Sequence, residues 1–546
     1  MSVLEARGLN VAYRRGDGRL YSAVIDANLE LAEGESLGLV GESGSGKSTL
    51  ARALMGYCRP GGVITAGDIR IDGEDIRHMA ETRMRALRGG KVAFVPQNPL
   101  SSLTPHLRVG SQVAEAVRIH RDCDRRTARA AMFELFEATR LPDPASLCER
   151  YPHELSGGQR QRVVIAAALA GNPRLMILDE PTTALDKTTE IQVLELVKSL
   201  RTRFRTALVY VSHDLNVVSE MCDRVLVMLG GAVVEQGATA QVYRKPAQDY
   251  TRRLVAAVPR IDRGPENRAP LAGARPPLLE VSGLGYSYAA RGWFKRAAER
   301  PALSDVSFDV APGETVGLVG ESGSGKSTSA AIVAGLLAPG TGTIRFAGRA
   351  LPGLARERTQ EDRRRIQIIF QDPLSSLNPR QRVEEILARP LSVFHGLSRN
   401  AARQRSVELF EQLQLDPRLL ESYPRQLSGG QQQRVAIARA FAARPDLVIC
   451  DEVTSALDVS VQAQVLDLFR DLQARSGTAC LFISHDLGVI RQVASRVVVL
   501  REGTVRETGA TREVFGAPRD DYTRLLIDAA SRGYGNLPDP ASAPSP

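Results

Sequence analysis

Apolar residues along this chain fall into short unbroken runs. Leu37–Val40, Leu175–Leu178 and Ala207–Val211 are such runs in the first half; Val316–Val319, Leu447–Cys450 and Ala479–Ile483 answer them in the second. Runs of this length without polar alternation predict strands covered on both faces, the pattern of a parallel sheet. Shorter strands are predicted at Ala93–Pro96 and Ile368–Phe370, and hairpin-like segments at Val63–Ile76 and Gly342–Leu351. Long helical stretches lie between, at Ser111–Cys148 and Val383–Leu420. Strands alternating with helices predict an α/β fold with a mostly parallel core.

The two halves carry the same pattern because they are one unit used twice. Leu155–Gln159 returns as Leu427–Gln431, Ser212–Leu215 as Ser484–Leu487, and Asp249–Arg252 as Asp521–Arg524, each offset by 272. Such a period is too long for a solenoid and marks a duplicated domain. The first domain is expected over residues 1–258 and the second over 278–532. A Pro-, Gly- and Arg-rich linker, 259–277, joins them, and a Pro/Ala/Ser-rich tail, 533–546, is expected to be disordered. The linker can reach at most ~65 Å when extended.

The chemistry concentrates where strands end. Gly41, Glu42, Ser43, Gly44, Ser45, Gly46, Lys47, Ser48 and Thr49 recur letter for letter as Gly320, Glu321, Ser322, Gly323, Ser324, Gly325, Lys326, Ser327 and Thr328. Each copy follows a predicted strand and opens a predicted helix (Ser48–Met55; Ser327–Leu336), the context a phosphate-cradling P-loop requires. Backbone N–H groups and the helix N-terminus would hold the phosphates. Lys47 and Lys326 would reach the outer ones, and Ser48 and Ser327 would ligate Mg²⁺. A Gly/Ser turn before a helix could read this way once, not twice in matching contexts.

Asp179-Glu180 and Asp451-Glu452 end two of the apolar runs. The first acid of each pair suits a Mg²⁺ contact and the second a general base for water. Acidic residues also favour helix N-termini, but not paired with a P-loop in both repeats. His213 and His485, in Ser-His-Asp-Leu, could hydrogen-bond a γ-phosphate and the attacking water. Gln97 and Gln371 close short strands, where an amide could reach metal or water, although by physics alone a surface glutamine is the better reading. Ser156, Gly157, Gly158 and Gln159, repeated as Ser428, Gly429, Gly430 and Gln431, open helices. A plain helix cap explains the serine but not the two glycines. Since each unit already has a P-loop, a second anion site makes sense if it serves the other unit's nucleotide.

Composition narrows the classes. No apolar run approaches the ~20 residues that span a bilayer, and Met1–Arg15 lacks a signal-peptide core. The six cysteines show no C-x-x-C spacing and read as reduced thiols rather than disulfides or zinc ligands. A formal charge of +9 without a Lys/Arg block longer than Arg363–Arg365 leaves nucleic acid, an anionic membrane surface or nothing specific as readings.

Together these residues resemble the ATP-binding subunits of ABC transporters across nearly all of both repeats. That resemblance implies two tandem P-loop ATPase domains, each with a parallel core, an antiparallel β subdomain and a helical subdomain. It implies two ATP sites. Lys47, Ser48, Gln97, Asp179, Glu180 and His213 would act with Ser428 and Gly430; Lys326, Ser327, Gln371, Asp451, Glu452 and His485 with Ser156 and Gly158. Tyr13 and Tyr288 match the aromatic that stacks on adenine, with Tyr286 competing with Tyr288. Asp186 and Asp458 match the loops linking the sites. Phe370–Pro379, Gln97–Pro105 and the repeated Tyr-Thr-Arg look like the peptide/nickel branch of importers, with two usually separate ATPases fused. The resemblance then implies ATP and Mg²⁺, two membrane permeases, an extracytoplasmic binding protein, and a place on the cytoplasmic face of the membrane. Peptides are the expected cargo class; nickel, haem-like or opine-like ligands are alternatives. With no cysteine between Cys222 and Cys450, the iron–sulfur extension of many relatives is not expected. Val453 departs from the family proline seen at Pro181. A soluble twin ATPase acting on ribosomes or nucleic acid is the reading from another class. The short Pro-rich linker and the absence of zinc cysteine pairs speak against it.

Overall fold

The computed structural model describes residues 2–14, 18–183, 185–261, 276–288, 301–455 and 457–531. Most of the expected linker and the whole expected disordered tail lie outside them. The chain divides into two compact units, Met1–Val258 and Pro259–Ser531.

In the first unit the strands are β1 (Ser2–Arg14), β2 (Leu20–Ala32), β3 (Ser36–Val40), β4 (Gly62–Ile71), β5 (Glu74–Asp75), β6 (Val92–Val95), β7 (Leu175–Asp179), β8 (Ala207–Val211), β9 (Arg224–Leu229) and β10 (Ala232–Ala238). They run in the order β5-β4-β1-β2-β10-β9-β3-β8-β7-β6. From β9 to β6 every pairing is parallel. β10 closes that core as an antiparallel edge, and β1, β2, β4 and β5 form an antiparallel layer. Every residue of β3, β7 and β8 is buried, as a sheet covered on both faces demands. Leu37, Leu39 and Val40 are at most 1% exposed, and burial of such side chains stabilises by about 1.5–3 kcal/mol each. Between them, Gly38 admits the helix Leu215–Met221: a Cβ there would lie 2.3 Å from Val218 Cγ1.

The second unit repeats this plan with β11 (Leu279–Tyr286), β12 (Leu303–Val310), β13 (Thr315–Val319), β14 (Thr341–Phe346), β15 (Arg349–Ala350), β16 (Ile366–Ile369), β17 (Leu447–Asp451), β18 (Ala479–Ile483), β19 (Arg496–Arg501) and β20 (Thr504–Ala510). Its core order, β16-β17-β18-β13-β19-β20, matches the first. Here the antiparallel layer β12-β11-β14-β15 is a separate sheet. The difference is small: Ala232 pairs with Ile25 to join the layers in the first unit, and the counterpart is the single 2.8 Å hydrogen bond from Ser304 N–H to Gly503 C=O.

The predicted helical middles contain Val109–Arg121 and Arg125–Ala138 in one unit, Val383–His395 and Arg399–Gln412 in the other. Asp124 and Ser398 cap the second helix of each pair through their side chains, satisfying N–H groups the helix itself cannot. Among the described residues no helix is long and apolar enough to cross a membrane. The topology settles where chemistry can happen. β6, β7, β8 and β3 are parallel neighbours, so their C-terminal ends share one edge, where the order of connections reverses around β3.

Candidate functional site

At that edge the P-loop follows β3. Lys47 is buried, and its Nζ donates to the carbonyls of Gly41 and Glu42 at 2.7 and 2.8 Å. Lys326 repeats this on Gly320 and Glu321 at 2.8 and 2.7 Å. Gly41 sits at φ 144°, where an added Cβ would lie 2.2 Å from the Met228 carbonyl oxygen, so no larger residue fits the turn. The helix Lys47–Ala53 starts on Gly46 without a side-chain cap, so its first N–H groups remain as donors toward an anion.

β7 delivers two carboxylates with different surroundings. Asp179 is 1% exposed, accepts the Ser48 hydroxyl at 2.7 Å, and is raised in pKa by burial. In the second unit Ser327 donates to Asp451 at 3.1 Å, and burial again raises the acid. Hydroxyl and carboxylate oxygens side by side are the hard donor set Mg²⁺ takes. The next residue points elsewhere. Glu180 and Glu452 hold φ of 50° and 49°, a left-handed conformation that costs a non-glycine residue about 1 kcal/mol or more. Their N–H groups donate to Val211 and Ile483 at the ends of β8 and β18.

That turn makes a three-residue node. Gln97 Nε2 donates to Glu180 Oε2 at 2.8 Å, and His213 Nδ1 lies 3.3 Å from the same oxygen. Gln371 and His485 meet Glu452 Oε2 at 2.8 and 3.4 Å. Burial pushes the Glu180 carboxyl up, but His213, Thr183 and Lys47 hold it below the usual carboxylate range. For Glu452 the His485 hydrogen bond has the largest influence and lowers it against burial. Both glutamates are therefore ionised at neutral pH, as a group that orients and deprotonates water must be.

The signature helices begin with reciprocal caps. Ser156 Oγ accepts from Gln159 N–H at 3.2 Å while Gln159 Oε1 accepts from Ser156 N–H at 3.0 Å; Ser428 and Gln431 do the same at 3.3 and 2.9 Å. The second glycine has a packing reason. A Cβ on Gly158 would lie 2.4 Å from Thr189 Cγ2, and one on Gly430 2.5 Å from Val461 Cγ1. The first has none in the second unit, since a Cβ on Gly429 meets nothing within 4 Å. Asp186 caps the helix Lys187–Phe204 through Thr189, and Asp458 holds the same position before Val459–Ser476. Tyr288 reaches the P-loop helix, its hydroxyl 3.1 Å from Thr328 Oγ1, whereas Tyr286 packs edge-on against Tyr288 and onto the core. Tyr13 lies on β1 opposite Tyr21, packed over Gly62. The six cysteines are all free, and among the described residues no three His, Cys, Asp or Glu side chains converge as a ligand set.

One residue of the site escaped the sequence reading. Arg52 pairs with Asp179 Oδ2 at 2.7 Å and lies over the Phe94 ring, 5.7 Å from its centre. The second unit has Ala331 and Ile368 at these positions. A signal existed: Ser48 and Arg52 are four apart on one helix and share a face. The two strand-end carboxylates thus differ: Asp179 carries an arginine partner, and among the described residues Asp451 is in no such ion pair.

Comparison with known proteins agrees with this geometry. Residues 24–183 and 303–455 match the ABC transporter family, and residues 234–298 match the oligopeptide/dipeptide transporter C-terminal region. The glutathione import ATP-binding protein GsiA of Pectobacterium atrosepticum is 41% identical over 558 residues, covering 96% of this chain and 89% of that protein. The peptidoglycan transport ATP-binding protein YejF of Agrobacterium fabrum is 41% identical over 532 residues, covering 97% and 96%. Among solved structures, cbiO1 from Clostridium perfringens, part of the ABC transporter complex cbiONQ, is 26% identical over 44% of this chain and 92% of its own, with a TM-score of 0.39. With the family matched in both halves and relatives 41% identical across nearly the whole chain, the chain belongs to the ATP-binding proteins of ABC transporters, in their oligopeptide/dipeptide branch, with both ATPases on one polypeptide.

Proposed function

We propose that this chain is the ATP-hydrolysing motor of an importer for small peptides or peptide-containing fragments. The observation that carries it is the complete Gln–Glu–His node in both units, each beside a P-loop. Each domain, 1–258 and 278–532, would bind one ATP. The P-loop N–H groups and Lys47 or Lys326 hold its phosphates, and Tyr13 or Tyr288 its base. Ser48, Asp179 and Gln97, or Ser327, Asp451 and Gln371, would hold Mg²⁺, which neutralises phosphate charge when bound. Glu180 and Glu452 receive the proton of the attacking water. His213 and His485 fix those carboxylates, and Gln97 and Gln371 donate to them. Ser428 with Gly430, and Ser156 with Gly158, complete the site of the opposite domain, and Asp186 and Asp458 link one site's state to the other. No iron–sulfur cluster takes part.

Two membrane permeases would couple this cycle to transport at the cytoplasmic face, with an extracytoplasmic binding protein delivering cargo. An open groove of about 620 Å³ beside the Gln371 loop supports this, lined by Phe370, Asn378, Ile386 and Pro390 among others. It would admit a short helix. Two of the three arginines in the longest basic run are in ion pairs, Arg364 with Glu361 and Arg365 with Asp446, which does not favour nucleic acid. The cargo class rests on the relatives, named for glutathione and peptidoglycan. The test is ATPase stimulation of the chain assembled with its permeases by binding protein loaded with glutathione, dipeptides, oligopeptides, muropeptides or nickel chelates. Stimulation by peptide-type cargo supports the reading. Stimulation by nickel alone, or co-purification with rRNA instead of permeases, overturns it.

A further inference from the structure

The repeated Asp-Tyr-Thr-Arg near the end of each unit has no part in the site described so far. In the structure it opens the helices Asp249–Ala256 and Asp521–Ser531. Asp249 pairs with Arg252, and Asp521 with Arg524, on the outer side of the first turn. The residues between them turn inward, with Tyr250 9%, Thr251 0%, Tyr522 4% and Thr523 1% exposed. Each tyrosine ends on the P-loop. Glu42 N–H donates to the Tyr250 hydroxyl at 3.1 Å, and Glu321 N–H to the Tyr522 hydroxyl at 3.0 Å. Arg501 adds a guanidinium over the Tyr522 ring, 4.8 Å from its centre. Tyr250 lies within the matched oligopeptide/dipeptide C-terminal region, while Tyr522 makes the same contact outside it.

The residue so held is held from its other side as well. The Glu42 carbonyl accepts Lys47 Nζ at 2.8 Å, and the Glu321 carbonyl accepts Lys326 Nζ at 2.7 Å. The lysine has three N–H donors to divide between these carbonyls and a phosphate, so its hold on the loop is shared with any ligand. The tyrosine does not depend on that lysine. Further along, Gly231 N–H to the Ser45 carbonyl and Gly503 N–H to the Ser324 carbonyl, both 3.1 Å, fix the middle of the loop but not its start. A glycine-rich loop loses much conformational freedom on ordering, so a fixed start raises its affinity for phosphate.

We propose that Tyr250 and Tyr522 are positioning residues for ATP binding: each hydroxyl fixes the start of its P-loop and so couples docking of the C-terminal helix to occupancy of the nucleotide site. This rests on the P-loops being ATP sites. By linkage the coupling runs both ways, so nucleotide should also protect the C-terminal helix.

The test uses the full chain carrying Tyr250→Phe or Tyr522→Phe, which keep the ring and remove the hydroxyl. Tyr243→Phe is the control: Tyr243 is fully buried, and its hydroxyl has no hydrogen-bond partner among the described residues. Expected is a roughly five- to tenfold rise in the dissociation constant for a non-hydrolysable ATP analogue at the altered site, the worth of one such hydrogen bond. The KM for ATP should rise with it, kcat should change less than about twofold, and Tyr243→Phe should bind as the unaltered chain does. In hydrogen exchange, the analogue should slow residues 249–256 in the unaltered chain and lose that effect in Tyr250→Phe. Unchanged analogue affinity in both variants, or equal protection of the helix with and without the hydroxyl, overturns the proposal even if melting temperature falls. An unaltered chain that binds no ATP analogue would refute the P-loop assignment itself.

Discussion

Glu180 and Glu452 each carry three constraints: a left-handed backbone, a glutamine donor and a histidine neighbour. Their lowered pKa values make a stability statement with a definite sign. The stabilisation is fully present above the unfolded carboxylate pKa, about 4.3, and is lost as pH falls through the depressed folded values. Melting measured from pH 8 to pH 3 should show Glu180→Gln and Glu452→Gln less stable than the parent at pH 7, with the gap closing below about pH 4. A gap constant across that range would mean the carboxylate charge is not what the node stabilises. Asp179 raises a separate expectation. Breaking its buried pair by Arg52→Ala should cost about 3 kcal/mol in the first unit without nucleotide. Mg-ATP should restore much of this, because the metal supplies the missing cation; an equal loss with and without Mg-ATP would show that Arg52 only packs. The node was legible in the sequence because its members sit in repeated motifs. Arg52 was not, since its partner lies 127 residues away and its counterpart is Ala331. The same holds for Tyr250, whose contact spans 208 residues; the motif was visible, and its target was not.

At the scale of elements, the unbroken apolar runs located β7, β8, β17 and β18 to within a residue, because burial on both faces leaves no room for alternation. β10 and β20 were not foreseen. Their half-buried, mixed composition carries little pattern, although the Gly230-Gly231 pair before β10 is a hairpin signal. The signature helix is the element where sequence and structure divide the explanation. Capping accounts for Ser428, and contact with Val461 accounts for Gly430, but Gly429 faces open space. Gly429→Ala should therefore leave the melting temperature unchanged or slightly higher, since alanine favours a helix by about 1 kcal/mol over glycine. It should nonetheless lower ATP turnover if this helix end meets a nucleotide. Gly430→Ala, with a Cβ 2.5 Å from Val461, should lower both. Full turnover in Gly429→Ala would remove the ligand role from the signature.

At the scale of the whole molecule the duplication is the main fact. It was readable at once, because two copies of one motif set in one order leave few alternatives. What the repeat conceals is the difference between the copies. The first carries Arg52, Phe94 and Pro181; the second carries Ala331, Ile368 and Val453, the last filling its position at 3% exposure. None of these differences replaces a member of the Gln–Glu–His node, so both copies keep the residues proposed for hydrolysis. The most direct test of a motor with two working sites is steady-state ATP turnover of the chain assembled with its permeases, carrying Glu180→Gln or Glu452→Gln. A general base contributes on the order of 10²–10⁴ in rate. Each single substitution should therefore cut turnover by at least about tenfold while ATP still binds. Near-parental turnover in either variant would contradict the account.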